Sequence, residues 1–159
     1  MVPVREVTLD DWQVLREIRL AALKDTPWAF GSSYEREVAF TEEDWRGRIL
    51  SRSVTFLGYL PEVSPAGIVG AVEEDPGTAE LVSMWVSPRA RGRGIGETLI
   101  TTVVDWAKAR QYEEVRLWVT EANSPARSLY ERCGFVPTGE SQPLPSNPSL
   151  TEIGMRRTI

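Results

Sequence analysis

The chain has 159 residues, 42% of them hydrophobic and 26% charged, with a formal net charge of −5. That length suits one domain, residues 1–159, with a sizeable core, and the acidic balance excludes bulk electrostatic binding to DNA or RNA, which needs clustered basic charge. There is no histidine and one cysteine, Cys133, which excludes a Ser-His or Cys-His nucleophile pair, most zinc sites and any internal disulfide.

The N-terminal Met1-Val2-Pro3-Val4-Arg5-Glu6 lacks the apolar segment of a signal peptide. With no apolar run long enough to span a membrane and a single cysteine, the expected setting is the cytoplasm, without a membrane partner. Val4 to Val7 reads as a first strand. Thr8-Leu9-Asp10-Asp11 opens a helix as a capping box, and Leu9, Trp12, Leu15, Ile18 and Ala22 continue it at helical spacing up to Pro27. The segment Asp25 to Ser33 is rich in turn residues and carries Trp28 and Phe30. Thr41-Glu42-Glu43-Asp44 caps a second helix with Trp45 and Ile49 on one face. These aromatics fit either ordinary core or one wall of a binding pocket, and Trp28, Phe30, Tyr34 and Trp45 are the candidates for such a wall.

Residues 54–86 read as an antiparallel meander: strands 54–60, 67–73 and 79–86, with a loop from Pro61 to Ala66 and a turn at Asp75-Pro76-Gly77. Next comes Arg91-Gly92-Arg93-Gly94-Ile95-Gly96, then a helix whose apolar face (Leu99, Ile100, Val103, Val104, Trp106, Ala107) is wide enough to cover a sheet. Glu114 to Thr120 alternates as a strand, so residues 80–120 form a strand-helix-strand unit whose two strands are expected to run parallel. Asn123-Ser124-Pro125 opens a short helix, with Cys133 packed at its end. Strand resumes at Gly134-Phe135-Val136. Gln142 to Pro148, with three prolines, reads as a surface loop before a last strand, Leu150 to Thr158.

The strand, glycine-rich loop and helix around residues 91–96 suit a phosphate. Alternate glycines admit φ > 0 and close backbone approach. The helix start offers unpaired N–H groups and partial positive charge, and Arg91 and Arg93 add full charges. A P-loop would place Lys and Ser or Thr after the last glycine, and a dinucleotide fingerprint would place glycine at position 97. Glu97 and Thr98 stand there instead.

The spacing Arg91-x-x-Gly94-x-Gly96, followed one strand later by Asn123-x-x-Ala126-x-x-Leu129-Tyr130-x-x-x-Gly134-Phe135, resembles the two cofactor-binding motifs of the GNAT family of N-acetyltransferases. Arg19-Leu20-x-Ala22-Leu23 with Pro27-x-Ala29-Phe30-Gly31 also resembles bacterial members. The resemblance implies a mixed α/β fold, with a mostly antiparallel central sheet of about six to seven strands and about four helices on both faces. It implies acetyl-CoA as cofactor, an amine acceptor (small molecule or peptide) and direct attack in a ternary complex. It leaves a homodimer open.

By the same resemblance, Met84, Trp85 and Val86 pair with the pantetheine arm. The backbone of Arg91, Gly92, Arg93, Gly94, Ile95, Gly96 and Glu97, with Thr98, holds the pyrophosphate. Asn123 and Ala126 meet the pantetheine, and Tyr130 serves as general acid toward the thiolate. Asn123 also fits a plain helix cap, Tyr130 a core aromatic, and Arg132 either a phosphate contact or a solvated charge.

An amine of pKa about 10.4 is roughly 99.9% protonated at pH 7, so presenting it neutral costs about 4–5 kcal/mol. A base or a pKa-lowering site is therefore required. Without histidine the base is a carboxylate or a water. Glu80, eleven residues before Arg91, is the first candidate, matching the catalytic glutamate of histone-type members in spacing. Glu73 and Glu74 are the second. Glu80 equally fits an anchor for the amine. Trp28, Phe30, Tyr34, Glu80 and Trp118 are expected at the acceptor site. A non-catalytic acyl-CoA-binding domain is the competing reading.

Overall fold

A computed structural model describes residues 2–51 and 53–159. The element order is β1 (Val4–Glu6), α1 (Trp12–Asp25), α2 (Tyr34–Val38), α3 (Glu42–Leu50), β2 (Ser53–Gly58), β3 (Gly67–Asp75), β4 (Thr78–Val86), α4 (Ile95–Ala109), β5 (Glu114–Thr120), α5 (Ser124–Arg132), β6 (Val136–Leu144) and β7 (Asn147–Thr158). The strands form one seven-stranded sheet in the order β1-β2-β3-β4-β5-β7-β6. All neighbours are antiparallel except β4 and β5, the pair joined by the α4 crossover. This is the expected mixed, mostly antiparallel α/β sheet, with one more helix than anticipated: the short α2.

Local signals explain the helix starts. Thr41 Oγ1 accepts from Asp44 N (3.2 Å) while the Asp44 carboxylate accepts from Thr41 N (2.9 Å), the reciprocal cap at the start of α3. Ser33 caps α2 in a simpler way, its hydroxyl accepting from Arg36 N. The helices bury their apolar stripes on opposite faces of the sheet. Ile95, Leu99, Ile100, Val103 and Val104 of α4 pack with Leu81, Val115, Leu117 and Phe135. Leu15, Ile18, Ala22 and Leu23 of α1 pack with Trp45, Leu57, Ile68 and Trp85 on the other side.

Two details of the sheet govern the site. First, β3 and β4 lose register between Ile68↔Trp85 and Gly70↔Val82, so β4 carries one extra residue there. Ser83 sits in this bulge with φ 60°, a left-handed conformation rare for a non-glycine residue. The bulge reverses the alternation of β4: Leu81 packs on the α4 face, whereas Trp85 packs on the α1 face. Second, the parallel pairing of β4 with β5 covers only Thr78↔Glu114, Ala79↔Val115 and Glu80↔Arg116. Beyond Glu80 the two strands part, and among the described residues the β5-facing edge of 81–86 has no strand partner.

The expected surface loop over residues 142–148 is instead a hairpin. β6 continues through Gln142 and Pro143 to Leu144, Pro145 and Ser146 turn the chain, and β7 starts at Asn147. Pro143 is tolerated because β6 is the edge strand of the sheet, where an N–H facing away from the ladder is not needed.

Candidate active site

The loop between β4 and α4 has the geometry of an anion cradle. Gly92 (φ 77°) and Gly94 (φ 81°) both adopt left-handed conformations, and an added Cβ at either would point into open space. Gly94 caps α4, leaving the first N–H groups of the helix without intrahelical partners. Gly96 is glycine for another reason. A Cβ there would lie 2.8 Å from Leu129 of α5 and 3.3 Å from Met84 of β4, so its hydrogen lets β4, α4 and α5 converge. Thr98 Oγ1 donates to Gly94 O (3.0 Å), bracing the first turn.

The two loop arginines do not stand free. Arg91 pairs with Asp25 (2.8 Å) and donates from Nε to Val86 O (3.0 Å), and Arg93 pairs with Glu62. Asp25, the last residue of α1, also accepts from the Trp85 indole (3.1 Å). An anion in this loop would therefore meet mainly backbone N–H groups. Arg132 lies 3.6 Å from Glu97, both exposed.

Behind the loop, on the α1 face, lies a cavity of about 450 Å³ whose floor is the sheet. Glu80, Val82 and Trp118 line it, and Glu152 of β7 completes the floor. The register pairs Trp118 with Gly154, where a Cβ would lie 2.7 Å from Thr138 Oγ1 but only in ordinary contact, 3.7 Å, with the Trp118 ring, so the glycine makes room for Thr138. Burial raises the Glu80 pKa above the usual carboxylate value, and the charges of Glu74 and Glu152 push it in the same direction.

The other wall comes from the helices. Arg19 is buried and binds both oxygens of Glu37 (2.9 and 3.0 Å). Arg48 reaches the same carboxylate (3.0 Å), and Arg19 Nη1 donates to Ser83 in the bulge (3.2 Å). Burial opposes ionisation of Glu37, but the hydrogen bond and charge of Arg19, joined by Arg48, outweigh it and hold the carboxyl down to about 2. The Arg19 guanidinium also sits 5.0 Å from the Phe30 ring centroid.

The segment 27–33 closes the cavity. Trp28 O accepts from Thr120 Oγ1 (2.6 Å), Phe30 O accepts from the Ser146 hydroxyl (2.5 Å), and Gly31 packs on Pro145. The β6–β7 turn therefore holds this segment over the sheet.

These features (a parted parallel strand pair, a glycine cradle at a helix start and a cavity on the opposite face) all lie along β4 and the loop that follows it. Residues 13–135 match the model of the acetyltransferase (GNAT) family. The chain belongs to that family.

It is 31% identical to a mycothiol acetyltransferase of Salinispora tropica over 147 residues, covering 84% of this chain and 48% of that protein. The chain thus spans less than half the length of this curated relative. Its fold is similar to the ribosomal-protein-alanine N-acetyltransferase of Brucella melitensis (TM-score 0.81, 19% identity, 99% of both chains). It is also similar to the PaiA N-acetyltransferase of Thermoplasma acidophilum in complex with coenzyme A (TM-score 0.75, 19% identity, 100% of this chain and 99% of that one).

The residues expected from the GNAT motifs fall into two groups. Glu80, Phe30 and Trp118 share the cavity. Met84, the loop 91–98, Asn123, Ala126 and Tyr130 belong to the α4 and α5 side. Asn123 Oδ1 accepts from Ala126 N (3.4 Å), so its side-chain carbonyl caps α5. Tyr130 is buried against Phe135, with ring centroids 6.0 Å apart, and burial drives its hydroxyl pKa well above the ordinary tyrosine value. Trp28 (48% exposed) and Tyr34 line a neighbouring groove with Lys24 and Pro27, and not the Glu80 cavity.

Trp28 and Tyr34 thus stand apart from Glu80, against expectation, Trp45 takes the core side of its two readings, and Glu73 points elsewhere. Trp45 is wholly buried, edge-on to Phe40 (5.5 Å) and under Arg48, so it is core and not a pocket wall. Glu73 faces the α4 side, where it accepts from the Tyr112 hydroxyl (3.1 Å), and it does not reach the cavity. Of the three candidate carboxylates, Glu80 alone lines it.

Sequence reasoning passed over Asp25, Glu37, Arg48, Ser83 and Glu152, and took Arg19 only as part of a motif. The signal for Arg19 and Glu152 was a charged residue inside an apolar stripe: Arg19 beside Ile18 on the buried side of α1, and Glu152 among the inward positions of β7.

Proposed function

We propose that this chain transfers an acetyl group from acetyl-CoA to an amine by direct attack in a ternary complex. The observation that carries the reading is the unpaired β4 edge from residue 81 to 86, beside a glycine loop whose two left-handed positions open onto free space. Acetyl-CoA fits these residues. The β4 edge at Met84, Trp85 and Val86 offers backbone groups to an extended amide-bearing arm. The N–H groups of residues 92–97 face where a pyrophosphate would lie, and the Asn123 amide supplies a further donor.

When bound, the cofactor supplies an activated acyl group and a thiolate leaving group. The chain supplies the rest. Glu80, whose basicity burial raises, accepts in its ionised form the proton of the incoming ammonium, directly or through a water. Tyr130, kept protonated by burial, donates toward the sulfur. The two lie on opposite faces of the sheet, and the gap between β4 and β5 is where they can act on one carbonyl. Relatives named for different acceptors support the reaction class and leave the acceptor to the cavity.

The test is titration calorimetry with acetyl-CoA, followed by CoA release measured across an amine panel. Micromolar binding with amine-dependent release is the expected result. Tight binding with no release for any amine would point to a non-catalytic acyl-CoA-binding domain. No binding would remove the reading of residues 84–98.

A further inference from the structure

We infer that the acceptor is a small dipolar amine, carrying a carboxylate or phosphate as well as its amino group. The inference rests on the acetyltransferase reading and names the substrate class of its cavity.

The cavity separates its charges. On the strand side stand Glu80 and Glu152, and among the described residues no cation pairs with either. Glu152 accepts from the neutral amide of Gln142 (2.6 Å), while Arg116, across from Glu80, is held by Glu114 (2.7 Å) outside the cavity. On the helix side Arg19 and Arg48 share a single carboxylate, Glu37. Two guanidiniums against one carboxylate leave one positive charge unbalanced. Arg19 is spent, with Nε and Nη2 on Glu37 and Nη1 on Ser83. Arg48 is 37% exposed, lines the cavity, and among the described residues its one ion pair uses Nη1 alone. Its other donors form the planar fork that suits a carboxylate or phosphate.

The carboxylates and Arg48 rise from different strands and elements around one cavity. Ser53, Val72 and Glu80 lie in one row across β2, β3 and β4. Two strand spacings, about 10 Å, therefore separate Glu80 from Ser53. Ser53 hydrogen-bonds the Arg48 carbonyl (3.2 Å), which fixes the backbone of Arg48 at that end, while its guanidinium reaches to Glu37 (3.0 Å). An ammonium beside the carboxylates and an anion at the Arg48 guanidinium would belong to one small molecule filling this cavity. A second ammonium, as in a diamine, would meet the surplus positive charge. The closure by residues 27–33 and the volume of about 450 Å³ favour a small molecule over a folded protein.

The experiment compares γ-aminobutyrate, 5-aminovalerate and phosphoethanolamine with butylamine and putrescine. It measures CoA release and, separately, calorimetric binding of each amine to the CoA-loaded protein. The anion-bearing amines are expected to exceed butylamine and putrescine by about tenfold or more in kcat/KM and in affinity, the scale of one charge-assisted contact. Arg48→Met should collapse that ratio to about one, and Arg48→Lys should restore part of it, with melting curves showing that both variants fold. The carboxylate and phosphate arms identify the anion. Equal or better use of butylamine or putrescine, or a preference that survives Arg48→Met, overturns the dipolar acceptor and leaves the acetyltransferase reading standing. Failure of every amine to bind or to release CoA overturns both.

Discussion

The carboxylate of Asp25 lies 2.8 Å from the guanidinium of Arg91, so the last turn of the first helix holds the glycine loop directly. The same carboxylate accepts from the Trp85 indole at 3.1 Å, tying the loop to β4 just past its bulge. The Arg91 contact is half exposed and contributes about 0–1 kcal/mol. The indole bond is part-buried, and losing its acceptor costs about 1–3 kcal/mol. Asp25→Asn keeps an acceptor for the indole and should melt close to wild type. Asp25→Ala should melt several degrees lower, at about 2–4 °C per kcal/mol for a chain of this size. Equal melting of the two variants would show that the indole bond is not what holds the loop.

Gly94 and Gly96 separate ligand binding from packing. At Gly94 the backbone is left-handed and the space beyond is open. Gly94→Val should abolish most acetyl-CoA binding while the protein still folds, with a strain cost of about 1–2 kcal/mol. At Gly96 the added carbon meets Leu129 at 2.8 Å, so Gly96→Val should lower the melting temperature more than Gly94→Val does. Calorimetry and melting on both variants check this; normal CoA affinity in Gly94→Val would remove the cradle.

Much of this organisation is legible along the chain because it is local. Alternate glycines between an apolar strand and a helix with one wide apolar face announce the β4-loop-α4 unit, and Asn123-Ser124-Pro125 announces α5. The bulge at Ser83 is not legible, because it arises from how Ile68 and Gly70 of β3 register against β4. The cluster of Arg19, Glu37 and Arg48 joins three helices, and nothing in the spacing of these residues links them. Pro143 misleads, since proline argues for a loop until the strand is known to be an edge.

Glu37 should set the acid limit of stability. Its carboxyl is held down to about 2 in the fold against an ordinary 4.5. A depressed folded pKa contributes stability that is present above the unfolded value and lost as pH falls from about 4.5 toward 2. Glu37→Gln leaves the buried Arg19 without its counter-charge and should cost about 3–5 kcal/mol at neutral pH. It should also flatten the pH dependence of melting below pH 4.5. Wild-type and variant proteins that lose stability in parallel through that window would exclude this assignment.

Tyr130→Phe removes the hydroxyl and little else from a buried ring packed on Phe135. If the hydroxyl donates to the leaving thiolate, kcat should fall by about 10²-fold or more with CoA affinity unchanged. Because burial raises its pKa, wild-type kcat should show no basic limb from tyrosine up to pH about 10. An unaltered kcat in the variant would leave Tyr130 as core packing only.

Glu80 gives the opposite pH signature to Glu37. Burial, then Glu74 and Glu152, raise its pKa above 4.5, so the fold favours its neutral form. A base must be ionised to act, and kcat/KM should therefore fall on the acid side with a midpoint above the ordinary carboxylate range. Glu80→Gln should lower kcat and abolish that limb. The effect on stability has the reverse sign. A raised carboxyl pKa contributes most below the unfolded value, and that contribution is lost as pH rises through the folded one. The ionised, buried Glu80 thus burdens the protein at neutral pH, and Glu80→Gln should melt at or above the wild-type temperature at pH 7 while matching it near pH 4. A variant that is both slower and less stable at pH 7 would mean that Glu80 holds the cavity together and does not serve as its base.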